Sequence, residues 1–167
     1  MAFGKRIAEI LETGEQTEDE MIEQVKTLLP TYSRREHKLW SRYDTEGETI
    51  PLFCIFDGYD PLGGRIGEFK TGRYWSQQMA DDHGQLTFYT FVYWKKYGRL
   101  PNELALIWIE TQEIAGDIRP TGHVCVFPTI RTIQDMRVMQ ERIEHSWAGI
   151  KALSAKEWQG VLFNNPS

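Results

Sequence analysis

Two acidic residues and a lysine stand close together near the middle of the chain, on either side of a turn. Asp57 follows a nearly continuous apolar run, IPLFCIF, and Glu68 and Lys70 lie in the next strand-like segment. Side chains alternate along a strand, so Glu68 and Lys70 share one face and Phe69 points to the other. If the two segments pair as a hairpin, the Asp57 carboxylate reaches the same patch.

These groups have the chemistry that phosphodiester hydrolysis requires. Two carboxylates can hold Mg²⁺ or Mn²⁺ and leave positions for water and a substrate phosphate. Such a metal polarises a phosphoryl oxygen and lowers the pKa of a bound water, while Lys70 orients that water or stabilises transition-state charge. An E-x-K pair alone is more often a solvated ion pair. The acid that ends the preceding strand, Asp57, is what favours a site.

The strands that must position these residues follow from the hydrophobic pattern. Strands are predicted over residues 35–43, 50–56, 65–71, 104–109 and 123–127. The composition of residues 58–64, GYDPLGG, indicates a turn between the second and third strands. A hairpin at this point would bring Asp57 beside Glu68.

Four helices accompany the strands. They are predicted over residues 2–12, from Thr17 to the residue before Pro30, over 76–97 with Gly98 as the stop, and over 132–153. Thr17 and Glu20 match a capping box. The order predicts an α/β fold with a mixed central β-sheet flanked by helices, because the helix between the third and fourth strands permits parallel pairing.

Length and composition indicate one globular domain over residues 1–167. Hydrophobic residues make up 41% and charged residues 26%, and no apolar run approaches the roughly 20 residues of a membrane-spanning helix. We therefore expect a cytoplasmic protein without a membrane partner, and the oligomeric state stays open. The net charge of −5 argues against coating nucleic acid by charge alone but permits an acidic metal site. Cys54 and Cys125 lie in apolar runs that indicate core positions.

One stretch of the chain resembles a known family. FDGYDPLGGRIGEFKTG, residues 56–72, is similar to the core motif of the RecB-like exonuclease branch of the PD-(D/E)XK nuclease superfamily, where an aspartate, a hairpin turn and acid-x-Lys-Thr-Gly follow one another. QLTFY, residues 85–89, resembles that branch's Q-x-x-x-Y motif. The resemblance covers residues 50–110 well, and it implies a restriction-endonuclease-like core.

The resemblance also implies residue roles. Asp57 and Glu68 match the metal ligands, with the backbone carbonyl of Phe69 as a further ligand, and Lys70 matches the catalytic lysine. Many relatives carry a histidine in the first helix where this chain has Ala8. The site would then hold one metal instead of two, or would recruit one of the acids Glu9, Glu12 and Glu36.

Three further residues are candidates for substrate binding. Gln85 and Tyr89 are four residues apart and share one helical face, which in the family looks toward the site and the nucleic-acid strand. The alternative is a helix that packs Tyr89 into the core. Arg73, just after the KTG sequence, is a candidate phosphate contact.

Other polar residues near the motif support weaker hypotheses. His83 could touch the metal or a phosphate, although a surface or capping role is the more usual one. His37 lies in a basic segment that either grips phosphate or forms a solvated face. Asp60 rivals Asp57 as a ligand, but aspartate before proline usually serves the turn.

The site residues and the resemblance together predict a Mg²⁺- or Mn²⁺-dependent deoxyribonuclease. Its expected substrate is DNA, with RNA left open, and its expected role is that of an exonuclease in phage or bacterial recombination and repair. Two alternatives remain on the same fold. One is a structure-selective or restriction-type endonuclease, and the other is a noncatalytic nucleic-acid-binding module.

Overall fold

A computed structural model of the protein describes residues 19–153, which form a five-stranded mixed sheet flanked by helices. The predicted helix over residues 2–12, with Ala8, lies outside these residues. The first described helix, α1 (Glu20–Leu28), begins after Asp19, whose carboxylate accepts hydrogen bonds from the N–H groups of Met21 and Ile22. Asp19 is thus the N-cap residue of this helix, and Thr17, from which the sequence predicts a capping box, lies outside the described residues.

The strands of the sheet follow one another in chain order. Their bounds are β1 (Arg34–Asp44), β2 (Thr49–Asp60), β3 (Arg65–Gly72), β4 (Glu103–Ile114) and β5 (Asp117–Thr129). All neighbouring pairs are antiparallel except β3 and β4, which are parallel. This confirms the predicted hairpin of β2 with β3 and the predicted parallel pairing across the crossover.

The crossover between β3 and β4 contains two helices where the sequence predicts one. These are α2 (Gln77–Asp81) and α3 (Gly84–Tyr97), with the break at Asp82 and His83. Gly98 ends α3 in the left-handed conformation at φ 71°, as predicted. The last helix, α4 (Ile133–Ala152), begins with a capping box formed by Thr132 and Asp135.

The two strands after the crossover are longer than their apolar runs. The strand β4 continues to Ile114 and β5 begins at Asp117, and the residues added at this end are mostly exposed. The turn between them contains Ala115 and Gly116, both with positive φ. Backbone hydrogen bonds extend the β4–β5 hairpin beyond the buried part of the sheet. Hydrophobic periodicity does not predict this extension, because the added residues are exposed.

The core lies on both faces of the sheet. On one face α3 and α4 pack against the strands, and Phe56, Ile66, Leu86, Leu106 and Met136 are fully buried there. On the other face α1 covers a smaller cluster. Its members are Val25, Leu29, Tyr32, Ile107 and Ile109.

The remaining sequence expectations concern the cysteines and the membrane. Cys54 is buried within the larger cluster, as predicted, whereas Cys125 is only partly buried and packs against that cluster. No helix within residues 19–153 combines the length and the apolar character that crossing a lipid bilayer requires.

Candidate active site

The β2–β3 hairpin places the two carboxylates opposite each other. Gly58 pairs with Gly67, so Asp57 and Glu68 are the next residues on the two strands. Oδ2 of Asp57 accepts a hydrogen bond of 2.9 Å from the backbone N–H of Phe69. Glu68 is only 2% exposed. The carboxylate pair expected from the sequence is thus brought together on the face covered by α3.

A change of face in β2 turns Asp57 toward this side. Phe56 and Tyr59 are three residues apart, yet both belong to the same buried cluster, so strict alternation is interrupted between them. Glu36, across from this point on β1, has a φ of 46°. Local irregularities of this kind re-aim side chains and are common next to active sites.

Lys70 and the two polar residues of α3 complete a continuous chain of contacts. The Lys70 ammonium lies 2.6 Å from Oε1 of Glu68 and donates a hydrogen bond of 3.0 Å to Oε1 of Gln85. Nε2 of Gln85 donates a hydrogen bond of 2.7 Å to the Tyr89 hydroxyl. The structure therefore joins Glu68, Lys70, Gln85 and Tyr89, with Asp57 beside them.

The ring of Tyr89 is buried in the core, whereas its hydroxyl lies at the site. Tyr89 is 4% exposed, and its ring packs edge-on against Phe56, 5.1 Å between centroids. The buried ring is not presented for stacking on a base, so only the hydroxyl end faces the site. Both sequence interpretations of this helix thus hold in part, since Tyr89 belongs to the core and also touches the polar cluster.

Phe69 and Arg73 lie away from the carboxylates. The Phe69 ring points to the opposite face, as alternation predicts, where it meets Tyr32 edge-on at 6.2 Å and lies 4.6 Å from the Arg35 guanidinium carbon. Its backbone N–H holds Asp57, which keeps the Phe69 peptide next to the site. Arg73 is exposed in the bend after β3.

The electrostatics of the site are those of crowded negative charge. Burial, and then the negative charge of Glu68, raise the pKa of Asp57 to about 7, although the Phe69 N–H and the Lys70 ammonium act in the other direction. Burial and the charges of Glu68 and Asp57 also raise the pKa of Tyr89. The negative charge of Glu68 disfavours ionisation of Asp57 and favours a bound cation.

One oxygen atom of the Asp57–Glu68 pair is a candidate contact for such a cation. Oε2 of Glu68 is buried and has no hydrogen-bond partner of good geometry among residues 19–153, although the Asp57 carboxyl and the Tyr89 hydroxyl lie close enough to interact with the Glu68 carboxylate. A buried carboxylate oxygen without a partner is costly, so its presence calls for an explanation. A divalent cation held by Glu68 and Asp57 would satisfy it. Within the described part of the chain, no third Asp, Glu, His or Cys joins this pair in a metal-sized group.

His83, for which the sequence favours a surface or capping role, occupies the N-cap position of α3. Its ring lies 5.5 Å from the Trp75 ring and it makes no side-chain capping bond. Burial, followed by the charges of Lys70 and Arg131, lowers the pKa of His83 to about 4. Nδ1 of His83 is buried and has no hydrogen-bond partner among residues 19–153. His83 therefore stands at the N-cap position but does not cap the helix through its side chain. Its imidazole is neutral at pH 7 and lies near Lys70.

Arg131 was missed because nothing in its local sequence marks it. This residue is 9% exposed, and it lies between β5 and α4. Its guanidinium donates to the carbonyls of Ala80 and His83 and to the hydroxyls of Thr87 and Thr129. It thereby fixes the break between α2 and α3, and with it the start of the helix that carries Gln85.

The rival ligand Asp60 is already engaged. Its carboxylate accepts hydrogen bonds from the Ser33 N–H, at 2.5 Å, and from Arg65, at 2.8 Å. The Ser33 hydrogen bonds, and to a lesser extent Arg65, lower the pKa of Asp60. Asp60 therefore ties the turn together, in agreement with the turn interpretation.

The other candidates do not join the carboxylates. His37 stacks on Tyr59 with 4.8 Å between ring centroids, and burial and Arg34 lower its pKa. Glu36 is exposed on β1. Glu9 and Glu12 lie outside the described residues.

Comparisons with protein-family models, with curated proteins and with solved structures found no match. The function of the chain therefore has to be argued from the geometry of the site itself.

Proposed function

We propose that this protein is a Mg²⁺- or Mn²⁺-dependent nuclease that hydrolyses phosphodiester bonds in DNA, on a restriction-endonuclease-like core. The mixed sheet, with a helical crossover between β3 and β4, agrees with that core. The resemblance of residues 56–72 and 85–89 to the RecB-like motifs supports the same proposal. Function still rests on the site, because one fold serves many activities.

The buried Glu68 carboxylate, with one oxygen unpartnered beside Asp57, is the observation that carries the proposal. Asp57 and Glu68 would hold the metal, and the carbonyl of Phe69 is the third proposed ligand. When bound, the metal would polarise the phosphate and supply a water of lowered pKa. Two carboxylates suffice, because Mg²⁺ usually keeps several waters and contacts the substrate phosphate.

The remaining residues position a positive charge. Lys70 is held from two sides, by the Glu68 carboxylate and by the Gln85 amide oxygen, so its ammonium is fixed before substrate arrives. A pre-positioned ammonium stabilises the negative charge that develops on the phosphate, or orients the attacking water. Tyr89 holds Gln85 through its hydroxyl, and so acts through Gln85 on Lys70.

The exposure of the charged residues agrees with a substrate that binds at the protein surface and does not enter the core. Lys70 is partly exposed, with 27% of its side chain accessible, whereas Glu68 lies beneath it. Arg73 is exposed in the bend after β3, where we propose that it contacts a phosphate next to the scissile one.

The direct test is cleavage by Lys70→Ala. End-labelled linear, circular and single-stranded DNA would be incubated with Mg²⁺, Mn²⁺ or EDTA. We expect wild-type cleavage only with a divalent metal, and a loss of about 10²–10³ in rate for the variant, as for other electrostatic contacts to a transition state. Lys151→Ala is the matched control, because Lys151 only pairs with Glu48 on the surface, and it should retain full activity.

Two results would contradict the proposal. Near-wild-type turnover by Lys70→Ala would remove the mechanism described here. Metal binding by calorimetry without cleavage of any of the three substrates would favour a noncatalytic nucleic-acid-binding module.

A further inference from the structure

A groove of about 330 Å³ lies at the outer edge of the sheet. It is lined by Trp40, Ser41 and Arg42 from β1 and by Lys95 and Lys96 from α3. Since β1 is an edge strand, this groove is open along the side of the molecule. None of its residues belongs to the candidate active site.

The aromatic side chains here are unusually accessible. Trp40 is 62% exposed and Phe53 is 37% exposed. The two residues are cross-strand partners, and their ring centroids are 4.2 Å apart. Large apolar rings cost solvation free energy when they are left in water, so an exposed pair of rings marks a candidate binding surface.

Cations surround these rings. Lys38 and Arg42 flank Trp40 on the same exposed face of β1, and Lys96 is exposed across the groove. The Lys95 ammonium lies 4.2 Å from the centroid of the Tyr43 ring. Acidic groups are also present, since Asp44 contacts Arg42 at 3.5 Å and Glu144 acts on Lys95. Even so, four basic residues gather here in a chain whose net charge is −5.

One strand and one helix connect the groove with the proposed catalytic centre. Phe53, the partner of Trp40, precedes Asp57 by four residues of β2, which is about 13 Å at the rise of a strand. Lys96 follows Gln85 by eleven residues of α3, or about 16 Å. Trp40 and Phe53 point away from α3, whereas Asp57 and Glu68 lie on the face that α3 covers, so a nucleic-acid strand that joins the two places passes over the β1 edge.

From this placement we propose that the groove, together with the adjoining side chains of Phe53 and Lys38, binds a single-stranded segment of the nucleic-acid substrate. Bases would stack on Trp40 and Phe53, and phosphates would be held by Lys96, Arg42 and Lys38. Proteins that bind single strands combine a positive groove with stacking aromatic side chains. A duplex keeps its bases paired and therefore leaves these rings unused. This inference rests on the proposed nuclease function.

Binding can be measured separately from cleavage. A fluorescein-labelled dT oligonucleotide of about 12 nucleotides, within the usual range of single-strand sites, would be titrated in EDTA and followed by anisotropy. Trp40→Ala should weaken binding about 5- to 150-fold, as expected for one lost stacking contact. Lys96→Ala should lower the slope of log Kd against log salt by about 0.7, the value for one phosphate contact with a single strand.

The controls are an exposed leucine and an exposed arginine on the opposite edge strand. Leu62→Ala and Arg119→Ala should bind the oligonucleotide like the wild type, because these residues lie on the β2–β3 turn and on β5. A duplex of the same length should bind more weakly and should not respond to Trp40→Ala.

Three results would overturn the inference. The first is unchanged oligonucleotide binding in both groove variants. The second is a duplex that binds equally well and loses as much affinity with Trp40→Ala. The third is a dimer that Trp40→Ala dissociates in sedimentation while oligonucleotide binding persists, which would identify the groove as a protein interface. Binding that follows these expectations in a protein without cleavage would support the groove and refute the nuclease.

Discussion

At the scale of single residues, the buried carboxylate pair makes the stability of the metal-free protein depend on pH. The pKa of Asp57 is raised to about 7 in the folded protein, against about 3.9 in an unfolded chain. Below about pH 4 the group is protonated in both states and has no effect. As the pH rises from about 4 to about 7, only the unfolded chain loses its proton, so the folded state becomes less stable.

Asp57→Asn should therefore stabilise the protein in EDTA at pH 8 and change little at pH 4. The difference in pKa sets an upper limit of about 4 kcal/mol on this gain. Denaturant titrations at the two pH values measure it. Mg²⁺ should raise the stability of the wild type at pH 8 but not that of the variant.

Asp60→Asn is the matched control for this prediction. The pKa of Asp60 is lowered by its hydrogen bonds, so its ionised form contributes stability above about pH 4. The variant should lose stability at pH 8. A stability loss in both variants, with unchanged Mn²⁺ binding, would make Asp57 a structural residue and place the metal elsewhere.

Gln85 and Tyr89 differ in what they contribute. Gln85→Ala removes the amide that holds Lys70, and we expect cleavage to fall tenfold or more with a stability change of about 1 kcal/mol. Tyr89→Phe should reduce cleavage less than Gln85→Ala does, and it should change stability by a similarly small amount. Tyr89→Ala empties a core position and should cost about 3–5 kcal/mol.

Melting temperature and DNA cleavage on the same three variants test this assignment. Reduced cleavage in stable Gln85→Ala and Tyr89→Phe proteins would support positioning of Lys70. A fully active Gln85→Ala protein beside an unstable Tyr89→Ala protein would show that the helix only packs.

At the scale of elements, the β2–β3 hairpin depends on two glycines that lie against one ring. A Cβ added at Gly58 or at Gly67 would lie 2.4 Å from the nearest atom of Tyr32. Tyr32 follows α1 and is buried in the smaller cluster. The glycines therefore let Tyr32 cover the back of the strands that carry Asp57 and Glu68.

Gly67→Ala should destabilise the protein by about 1–3 kcal/mol through overpacking. In a Tyr32→Ala background, the loss of stability caused by Gly67→Ala should largely disappear, because the clash with the ring is removed. A double-mutant cycle would measure this coupling. Gly149→Ala in α4 has open space around it and should instead be neutral or stabilising. Strictly additive losses at Gly67 and Tyr32 would contradict the contact.

The elements also show where sequence patterns succeed and fail. The hairpin around residues 57–68 could be predicted because its strand periodicity and its turn residues are local. The break between α2 and α3 could not, because it is fixed by Arg131, which lies beyond β5. The change of face at Phe56 was likewise hidden, since an apolar run does not show which side each residue faces.

At the scale of the whole molecule, average composition conceals how charge is distributed. The net charge of −5 gave no sign of a basic groove at the β1 edge. Lys95 and Lys96 are more than fifty positions from Arg42 in sequence, and only the packing of α3 against β1 brings them together. The buried acids of the β2–β3 hairpin and the basic residues at the β1 edge thus occupy separate parts of the molecule.

The parallel pairing of β3 with β4 also has a consequence for the order of folding. Arg65 meets Glu103 across 38 positions of chain, whereas β1–β3 and the β4–β5 hairpin are each built from neighbouring segments. Closing the longer loop costs more entropy and must await the helices between the two halves. We therefore expect Asp57 and Glu68, which belong to one hairpin, to meet before β3 pairs with β4. The contact of Gln85 with Lys70 requires in addition that the crossover helix α3 packs on the sheet.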